Sequence, residues 1–379
     1  MEIRITKKSL VGALARTSTI ADRKSSMQIL SNVLIDASDT NQVQISATDL
    51  NLFATGFFPS EVLEAGSLTV PAKTMFDVVR NMPEGFVTLK TEGEQVRITA
   101  GRSNFKLLMM PAEDFPIIPE FSSVQFFDMD TKIFKKMIEQ TSFSISSDET
   151  RSHLNGGLFQ GDGKNLRMVT TDGHRLSKVE FRVEESGFYN FSMVVPNKAI
   201  GEIKRLVDDG EGTISIAQKE GSIFLRRTIE IDHPENQDPL TAELVLVSKL
   251  IEEEFPPYEQ VIPKSNERSL VISRQPLLEA LKRVTVVSEE KTLGVRFDLT
   301  EGTLEIDTNN PSVGQGSEQV DISYDGEEVS IGFNARYLID ILSVLHDDEV
   351  TLELSGSLDP VVIKDPNDLF IGVVMPMRI

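Results

Sequence analysis

The densest group of chemically active residues lies at positions 170–176, which read Thr170, Thr171, Asp172, Gly173, His174, Arg175 and Leu176. Histidine titrates near neutral pH and a carboxylate can orient it, so Asp172 and His174 could form the acid–base pair of a hydrolase. Such an enzyme would lose its activity in the His174→Ala variant. The alternative is structural, because the pairs 48–49 (Thr-Asp) and 308–309 (Thr-Asn) occupy matching places elsewhere in the chain. These residues at a strand end are typical of an Asx-type turn, which is the interpretation we favour.

Other catalytic and cofactor motifs are missing from the sequence. It contains no Gly-x-x-x-x-Gly-Lys phosphate loop, no His-Glu-x-x-His and no Gly-x-Ser-x-Gly elbow. Without cysteine, neither a disulfide nor a thiolate metal site can form. The histidines are widely scattered, which argues against a zinc site. We therefore predict no catalytic residue, no metal and no cofactor.

A short sequence motif occurs three times, and an apolar pattern with helical spacing follows it each time. The copies read Val-Pro-Ala-Lys, Val-Pro-Asn-Lys and Phe-Asn-Ala-Arg, and they end at Lys73, Lys198 and Arg336. Each cation falls in the first helical turn, where it opposes the helix dipole at a cost of about 0.3–1 kcal/mol. A solvated surface cation explains any single copy, but three copies in register suggest a function. The apolar residues at helical spacing are Phe76, Val79, Met82, Ile200, Ile203, Val207, Leu338, Ile341 and Leu345.

The charge is segregated along the chain. The net charge of −21 argues at first against a nucleic-acid partner. Six windows that we predict to be helical (7–20, 73–82, 131–143, 197–207, 275–287 and 334–345) hold 14 Lys and Arg against 5 Asp and Glu, while the rest of the chain holds 24 against 54. Basic helices on an acidic body could focus an anion onto one face of the molecule.

The order of predicted elements divides the chain into three domains, at 1–122, 123–263 and 264–379. A length of 379 residues favours about three domains of ordinary size. In the first third, a helix with Ser9 as its N-cap precedes three strands, and a second helix then precedes three more. Proline-rich segments at 114–119 and 254–263 read as two similar linkers.

The composition is that of an ordinary globular protein, and we predict a cytoplasmic location. The N-terminus alternates like a strand and lacks the apolar core of a signal peptide. No apolar run reaches the length of a membrane span. The chain ends in an apolar tail, Met375 to Ile379, which would be either a buried last strand or an exposed peptide-binding patch. Pro376 favours the patch, because proline should end strand pairing.

These features together resemble the bacterial DNA polymerase III β subunit family, the sliding clamps. The resemblance rests on the three repeats, the segment 171–176, Asn310-Pro311 after a strand, Gly332-Phe333-Asn334 before a helix, and the ending 375–378. It implies an α+β fold of three repeated DNA-clamp domains, each a duplicated helix-plus-three-strand unit. The chain would form half of a six-domain ring with helices inside and sheets outside.

The function implied by the resemblance is non-catalytic. A ring-shaped homodimer would encircle double-stranded DNA without sequence preference and tether the replicative polymerase and other replication and repair proteins. An ATP-driven clamp loader would load it, and short clamp-binding peptides would mediate its contacts. Weak phosphate contacts suit a protein that slides. The alternative is a non-catalytic repeat scaffold of another pathway, which would not need basic helices in all three repeats.

The resemblance also implies residue roles. Ser152 and His153 stand where family members can carry aromatic residues, so we assign them no DNA contact. The subunit interface would join Phe105 and Leu107 of one chain to Val286 and Val287 of the other. The cations expected to face DNA are Arg23, Lys24, Lys73, Arg80, Lys136, Lys198, Arg205, Lys282 and Arg336. The residues expected in the partner-peptide pocket are Leu154, Thr171, Gly173, His174, Arg175, Leu176, Pro256, Val261, Tyr337, Leu358, Val373, Val374, Met375, Pro376, Met377, Arg378 and Ile379.

Overall fold

The computed structural model describes residues 1–182, 190–231 and 240–378. The helices of these ranges are α1 (Lys7–Thr17), α2 (Ala72–Arg80), α3 (Thr131–Thr141), α4 (Asn197–Leu206), α5 (Arg274–Val284) and α6 (Ala335–Val344). The strands of the first third are β1 (Glu2–Thr6), β2 (Asn32–Asp36), β3 (Gln42–Thr48), β4 (Leu52–Pro59), β5 (Glu61–Glu64), β6 (Ser67–Pro71), β7 (Phe86–Glu92), β8 (Gln95–Ala100) and β9 (Ser103–Leu108). Those of the middle third are β10 (Phe127–Asp130), β11 (Gly156–Asp162), β12 (Asn165–Thr171), β13 (Arg175–Arg182), β14 (Asn190–Pro196), β15 (Thr213–Lys219), β16 (Ser222–Ile231) and β17 (Leu240–Lys249). Those of the last third are β18 (Arg268–Ser273), β19 (Gly294–Thr300), β20 (Thr303–Asn310), β21 (Gly314–Asp321), β22 (Val329–Asn334), β23 (Glu349–Leu354), β24 (Val361–Lys364) and β25 (Phe370–Val374).

One structural unit recurs six times: a strand, a helix and three more strands. This order confirms the predicted duplication, and a strand precedes the helix in every unit. The only strand outside the pattern, within the described ranges, is β5. Alternating burial fits the strands, as in β8, because successive side chains point to opposite faces of a sheet. No helix in the described part of the chain is long and apolar enough to cross a membrane.

Two local predictions about the helices are wrong. The N-cap of α1 is Thr6, whose hydroxyl accepts the N–H of Ser9, so the helix begins before the predicted cap. In α2 Met75 is fully buried, whereas Phe76 is only half-buried, with the Arg80 guanidinium 5.2 Å from its ring centre. The other apolar residues that were named at helical spacing after the repeated motif are all buried.

The described residues form two compact units. Unit 1 comprises Met1–Thr131 and Arg205–Leu250, and it holds a five-stranded sheet in the order β5-β1-β7-β8-β9 and an eight-stranded sheet in the order β10-β15-β16-β17-β4-β3-β2-β6. Unit 2 comprises Lys132–Lys204 and Ile251–Ile379, and it holds a four-stranded sheet, β21-β20-β19-β22, and an eight-stranded sheet, β14-β11-β12-β13-β25-β24-β23-β18. Within unit 1, α1 packs on α2, β3 and β4, and within unit 2, α5 packs on α6, β20 and β21.

Each eight-stranded sheet joins strands of the middle third to strands of an end third. In unit 1, β17 pairs antiparallel with β4, and in unit 2, β13 pairs antiparallel with β25. The predicted linkers lie against these units as packed segments. Phe115 of the first is buried with Ile29 and Leu30, and Tyr258 of the second is buried with Leu176. An aromatic side chain therefore anchors each linker.

Candidate functional site

The segment 171–175 forms a tight turn between β12 and β13. One carboxylate oxygen of Asp172 accepts the N–H groups of His174, at 2.9 Å, and Arg175, at 3.0 Å. The Thr171 hydroxyl accepts the N–H of Gly173 at 3.1 Å and donates to the Arg175 carbonyl at 2.6 Å. Gly173 has a φ of 89°, which glycine adopts without strain. The Asx-type turn is confirmed, and its carboxylate serves backbone amides rather than an acid–base pair.

The first third contains the same turn, as the matching Thr-Asp pair at 48–49 predicted. One carboxylate oxygen of Asp49 accepts the N–H groups of Asn51 and Leu52, and Leu50 has a φ of 77°. The third predicted copy is wrong. Positions 308–309 lie inside β20, because pairing with β21 continues as far as Asn310.

Arg175 ties this turn to α6 and is almost enclosed, with a side chain only 10% exposed. Its guanidinium bonds the Asp172 carboxylate at 3.0 Å, the Asp340 carboxylate at 2.7 Å and the Phe143 carbonyl at 2.6 Å. It also lies 4.7 Å from the centre of the Tyr337 ring, within cation–π range. A buried cation with this many partners is held in one geometry.

The chain end meets the turn as expected. The Met375 N–H donates to the His174 carbonyl at 2.9 Å, and the Met377 N–H donates to the Gly332 carbonyl at 2.8 Å. These bonds fix the tail beyond the end of β25 and on both sides of Pro376. Met375 is exposed, while Pro376 and Met377 are half-buried. The tail is therefore an ordered surface, and Ile379 lies outside the described residues.

The remaining predicted pocket residues fall into two groups. Buried side chains form the base beneath the surface: Leu154, Leu176, Val373 and Val374. Side chains that are exposed or half-buried lie at the surface: Thr171, Gly173, His174, Pro256, Val261, Tyr337, Leu358 and Arg378. The rings of His174 and Tyr337 are nearly parallel, at 12°, with centres 6.4 Å apart. All of these residues belong to unit 2.

Burial changes the ionisation of the two tyrosines in this region. Desolvation raises the pKa of Tyr258 to about 12, with a further contribution from Glu259. Desolvation also raises the pKa of Tyr337, and the Asp172 carboxylate adds to the effect. Both phenols are therefore neutral at physiological pH, and an apolar ligand would meet uncharged rings.

Sequence reasoning missed two partners of Arg175, namely Phe143 and Asp340. Asp340 follows Arg336 by four residues on α6, and the two side chains form an ion pair at 3.0 Å. This spacing is a known signal for side-chain pairs on a helix, so the pair with Arg336 could have been predicted, whereas the bond to Arg175 could not. Nearby, the Ser152 hydroxyl donates to the Glu253 carboxylate at 2.8 Å, which ties the 152–154 turn to the residue just before the second linker.

The predicted DNA-facing cations lie at accessible positions. Lys136 is half-buried, and the other eight are exposed. Lys73, Lys198 and Arg336 are each the second residue of their helix, and Lys8 and Lys132 hold the same position in α1 and α3. None of the six described helices has an acidic residue in its first turn. The helices hold 15 Lys and Arg against 5 Asp and Glu, so the predicted charge segregation is present.

The predicted interface residues lie at sheet and helix ends. Phe105 and Leu107 belong to β9, an outer strand of the five-stranded sheet in the described structure, and Phe105 is 45% exposed. Val286 and Val287 follow α5 in a short 3-10 turn, where Val286 is 79% exposed. An outer strand with uncovered apolar side chains is prone to pair with another chain.

Comparison with known proteins gives the same family over the whole chain. Models of the DNA polymerase III beta subunit match residues 1–119 (N-terminal domain), 128–257 (central domain) and 259–378 (C-terminal domain). The beta sliding clamps of Pseudomonas putida and Escherichia coli K12 are 33% and 32% identical over 382 residues, with 100% of each chain covered. A crystal structure of the Pseudomonas aeruginosa clamp bound to griselimycin matches with a TM-score of 0.90 and 32% identity, again over 100% of both chains. The chain therefore belongs to the DNA polymerase III beta subunit family, the beta sliding clamps.

Proposed function

We propose that this protein is a DNA sliding clamp, in which two copies close a ring around duplex DNA and tether the replicative polymerase. The observation that carries the proposal is the match of three successive segments to the three domains of the DNA polymerase III beta subunit. The matched ranges support three clamp domains at 1–122, 123–263 and 264–379. The chain itself catalyses nothing, and we place its action in the cytoplasm, where bacterial DNA is replicated.

The basic helix starts support a DNA-facing role for Lys73, Lys198 and Arg336. The accessibility of the other six cations predicted above is compatible with the same role. Lysine and arginine that contact phosphates bind without reading the base sequence. Few and weak contacts allow the ring to slide, and retention then comes from closure around the DNA. The acidic remainder of the chain repels the polyanion from other surfaces.

The turn at 171–175 and the tail at 375–378 support a peptide pocket in unit 2. The proposed pocket surface includes the exposed apolar side chains of Met375, Val261 and Leu358 and the neutral ring of Tyr337. An extended peptide with leucine or phenylalanine side chains suits such a surface. Each buried side chain would contribute about 1.5–3 kcal/mol, which is compatible with micromolar affinity for a short segment. The clamp loader, the polymerase and repair proteins would share this pocket.

Retention on circular DNA tests the function as a whole. With a clamp loader and ATP, the protein should load onto nicked circular DNA and remain there. It should leave linear DNA quickly through the free ends, because only topology holds it. Cutting a loaded circle with a restriction enzyme should release the protein, which gel filtration of the complexes would detect. Equal retention on both forms of DNA would contradict the clamp function.

The homodimer should depend on Phe105. Replacing it by aspartate removes about 1.5–3 kcal/mol of apolar burial at each of two interfaces, so the dimer should weaken by a factor of roughly 100 or more. Sedimentation at micromolar concentration should give dimeric wild type and monomeric Phe105→Asp. Leu63→Asp is the matched control, because Leu63 is exposed on β5, the opposite outer strand of the same sheet. A monomeric wild type, or a dimeric Phe105→Asp variant, would refute this interface.

A further inference from the structure

One carboxylate on α6 bridges two guanidinium groups that serve different surfaces. One oxygen of Asp340 accepts Arg175 at 2.7 Å, and the other pairs with Arg336 at 3.0 Å. Asp340 is itself mostly enclosed, with a side chain 19% exposed. Arg175 belongs to the proposed peptide pocket, and Arg336 belongs to the proposed DNA-facing set. The two surfaces therefore share a single negative charge.

The pocket side of this bridge depends on Asp340. The Arg175 guanidinium is nearly buried and holds the turn through Asp172 and the Phe143 carbonyl. It also lies against the Tyr337 ring. A buried cation needs opposite charge close by, and removing one of its partners is costly. Asp340 thus helps to fix both the turn and the ring that line the pocket.

The DNA side of the bridge is open. The Arg336 side chain is 66% exposed, and Arg336 is the second residue of α6, the position that Lys73 has in α2. A phosphate near this helix start would draw Arg336 away from Asp340, because an Arg–phosphate contact can be bidentate. Arg336 also repels Arg175 as a like charge, so its withdrawal leaves Asp340 more fully to Arg175.

We propose that Asp340 is a positioning residue that couples Arg336 to the peptide pocket, so that duplex DNA at Arg336 tightens peptide binding. This inference rests on the proposed function. Coupling between two sites is reciprocal, so a bound peptide must tighten DNA binding by the same factor. The exposed half of the bridge limits the effect to about two- to fivefold, since exposed ion pairs are weak.

The test measures peptide affinity by fluorescence anisotropy with and without a saturating short DNA duplex at low salt. The probe is a labelled extended peptide, selected from a library of leucine- and phenylalanine-containing peptides for binding to the wild-type protein. Arg336→Gln removes the cation that pairs with Asp340 and replaces it by glutamine, which also favours a helix. Lys73→Gln is the matched control, because it removes a cation at the same helical position of α2. Asp340→Asn removes the bridge at constant shape.

In the wild type, DNA should lower the peptide Kd by about two- to fivefold. Lys73→Gln should bind DNA more weakly, but saturating DNA should still lower its peptide Kd by the same factor as in the wild type. Arg336→Gln should have the same peptide Kd with and without DNA, and that Kd should equal the value of the wild type with DNA. Asp340→Asn should lose at least about tenfold in peptide affinity. If DNA lowers the peptide Kd of Arg336→Gln as much as that of the wild type, or has no effect on the peptide Kd of the wild type, the coupling is overturned while both sites stay in place. Failure of the wild type to stay on nicked circular DNA after loading, or to bind any library peptide, would overturn the proposed function as well.

Discussion

Replacing Lys73, Lys198 and Arg336 together by glutamate should remove most of the loading of the protein onto DNA, and the loss should depend on salt. The change reverses three charges, and so lowers the net charge of each chain by six, at three equivalent helix positions. Each phosphate contact contributes about 0.9 to the slope of log affinity against log salt, so losing three should lower the slope by roughly 2.7 per chain. Titration of DNA binding at several salt concentrations would measure the slope directly.

Unfolding should not explain such a loss. Glutamate in the first helical turn interacts favourably with the helix dipole, by about 0.3–1 kcal/mol at each position. The change also loses the ion pair of Arg336 with Asp340 and places a like charge four residues before that carboxylate, which offsets the gain. The triple variant should therefore fold about as well as wild type, which thermal denaturation can check. The matched control reverses three exposed loop lysines, Lys164, Lys264 and Lys291. If the helix variant loads like this control, the repeated cations are only solvated helix starts.

The helices could be predicted because their burial follows from local spacing. Ile200, Ile203 and Val207 recur at helical intervals, and all three are buried. The start of α1 was misplaced because the cap is Thr6, the last residue of the preceding strand. A threonine that ends a strand and also caps a helix carries two local signals, and sequence reading assigned only the strand.

The neighbours of each strand could not be read from the chain. Alternating burial identifies which face of a strand is buried but not which strand lies beside it. Nothing in the sequence of β17 or β25 indicates pairing with β4 or β13, although these pairs build the two eight-stranded sheets. Residues 308–309 were misread for the same reason, since only the register of the β20–β21 pair shows that the strand continues through them.

The candidate site divides along the same line. The bonds of Asp172 within its turn span two or three residues, so the residue types predicted them. The partners of Arg175 come from distant segments, and the sequence gives no register between the Phe143 carbonyl, Asp340 and the turn. The contact of the tail with His174 was expected from the family resemblance, which placed both in one pocket, whereas the bond to the Gly332 carbonyl was not expected.

Removing the tail should abolish peptide binding and leave a folded ring. Truncation after Val374 removes the Met375 and Met377 N–H bonds, at a cost of about 1–3 kcal/mol in the free energy of unfolding. The pairing of Val374 with Arg175 in the β13–β25 ladder stays. Two methionine side chains lost from the pocket would each cost about 1.5–3 kcal/mol of binding, so a micromolar peptide should weaken by at least roughly 100-fold.

A second variant separates the side chains from the backbone and from the new chain end. The Met375→Ser/Met377→Ser double variant retains both N–H groups and the original terminus, but it loses the apolar surface. If the side chains provide the binding, calorimetric titration with the library peptide should show a loss close to that of the truncation. Both variants should still sediment as dimers, because the predicted interface residues are untouched, whereas loading onto circular DNA should fall with peptide affinity because the clamp loader shares the proposed pocket. Unchanged peptide affinity in the truncated protein would show that the pocket lies elsewhere, whereas loss in the truncation alone would assign the effect to the rest of the tail rather than to the two methionine side chains.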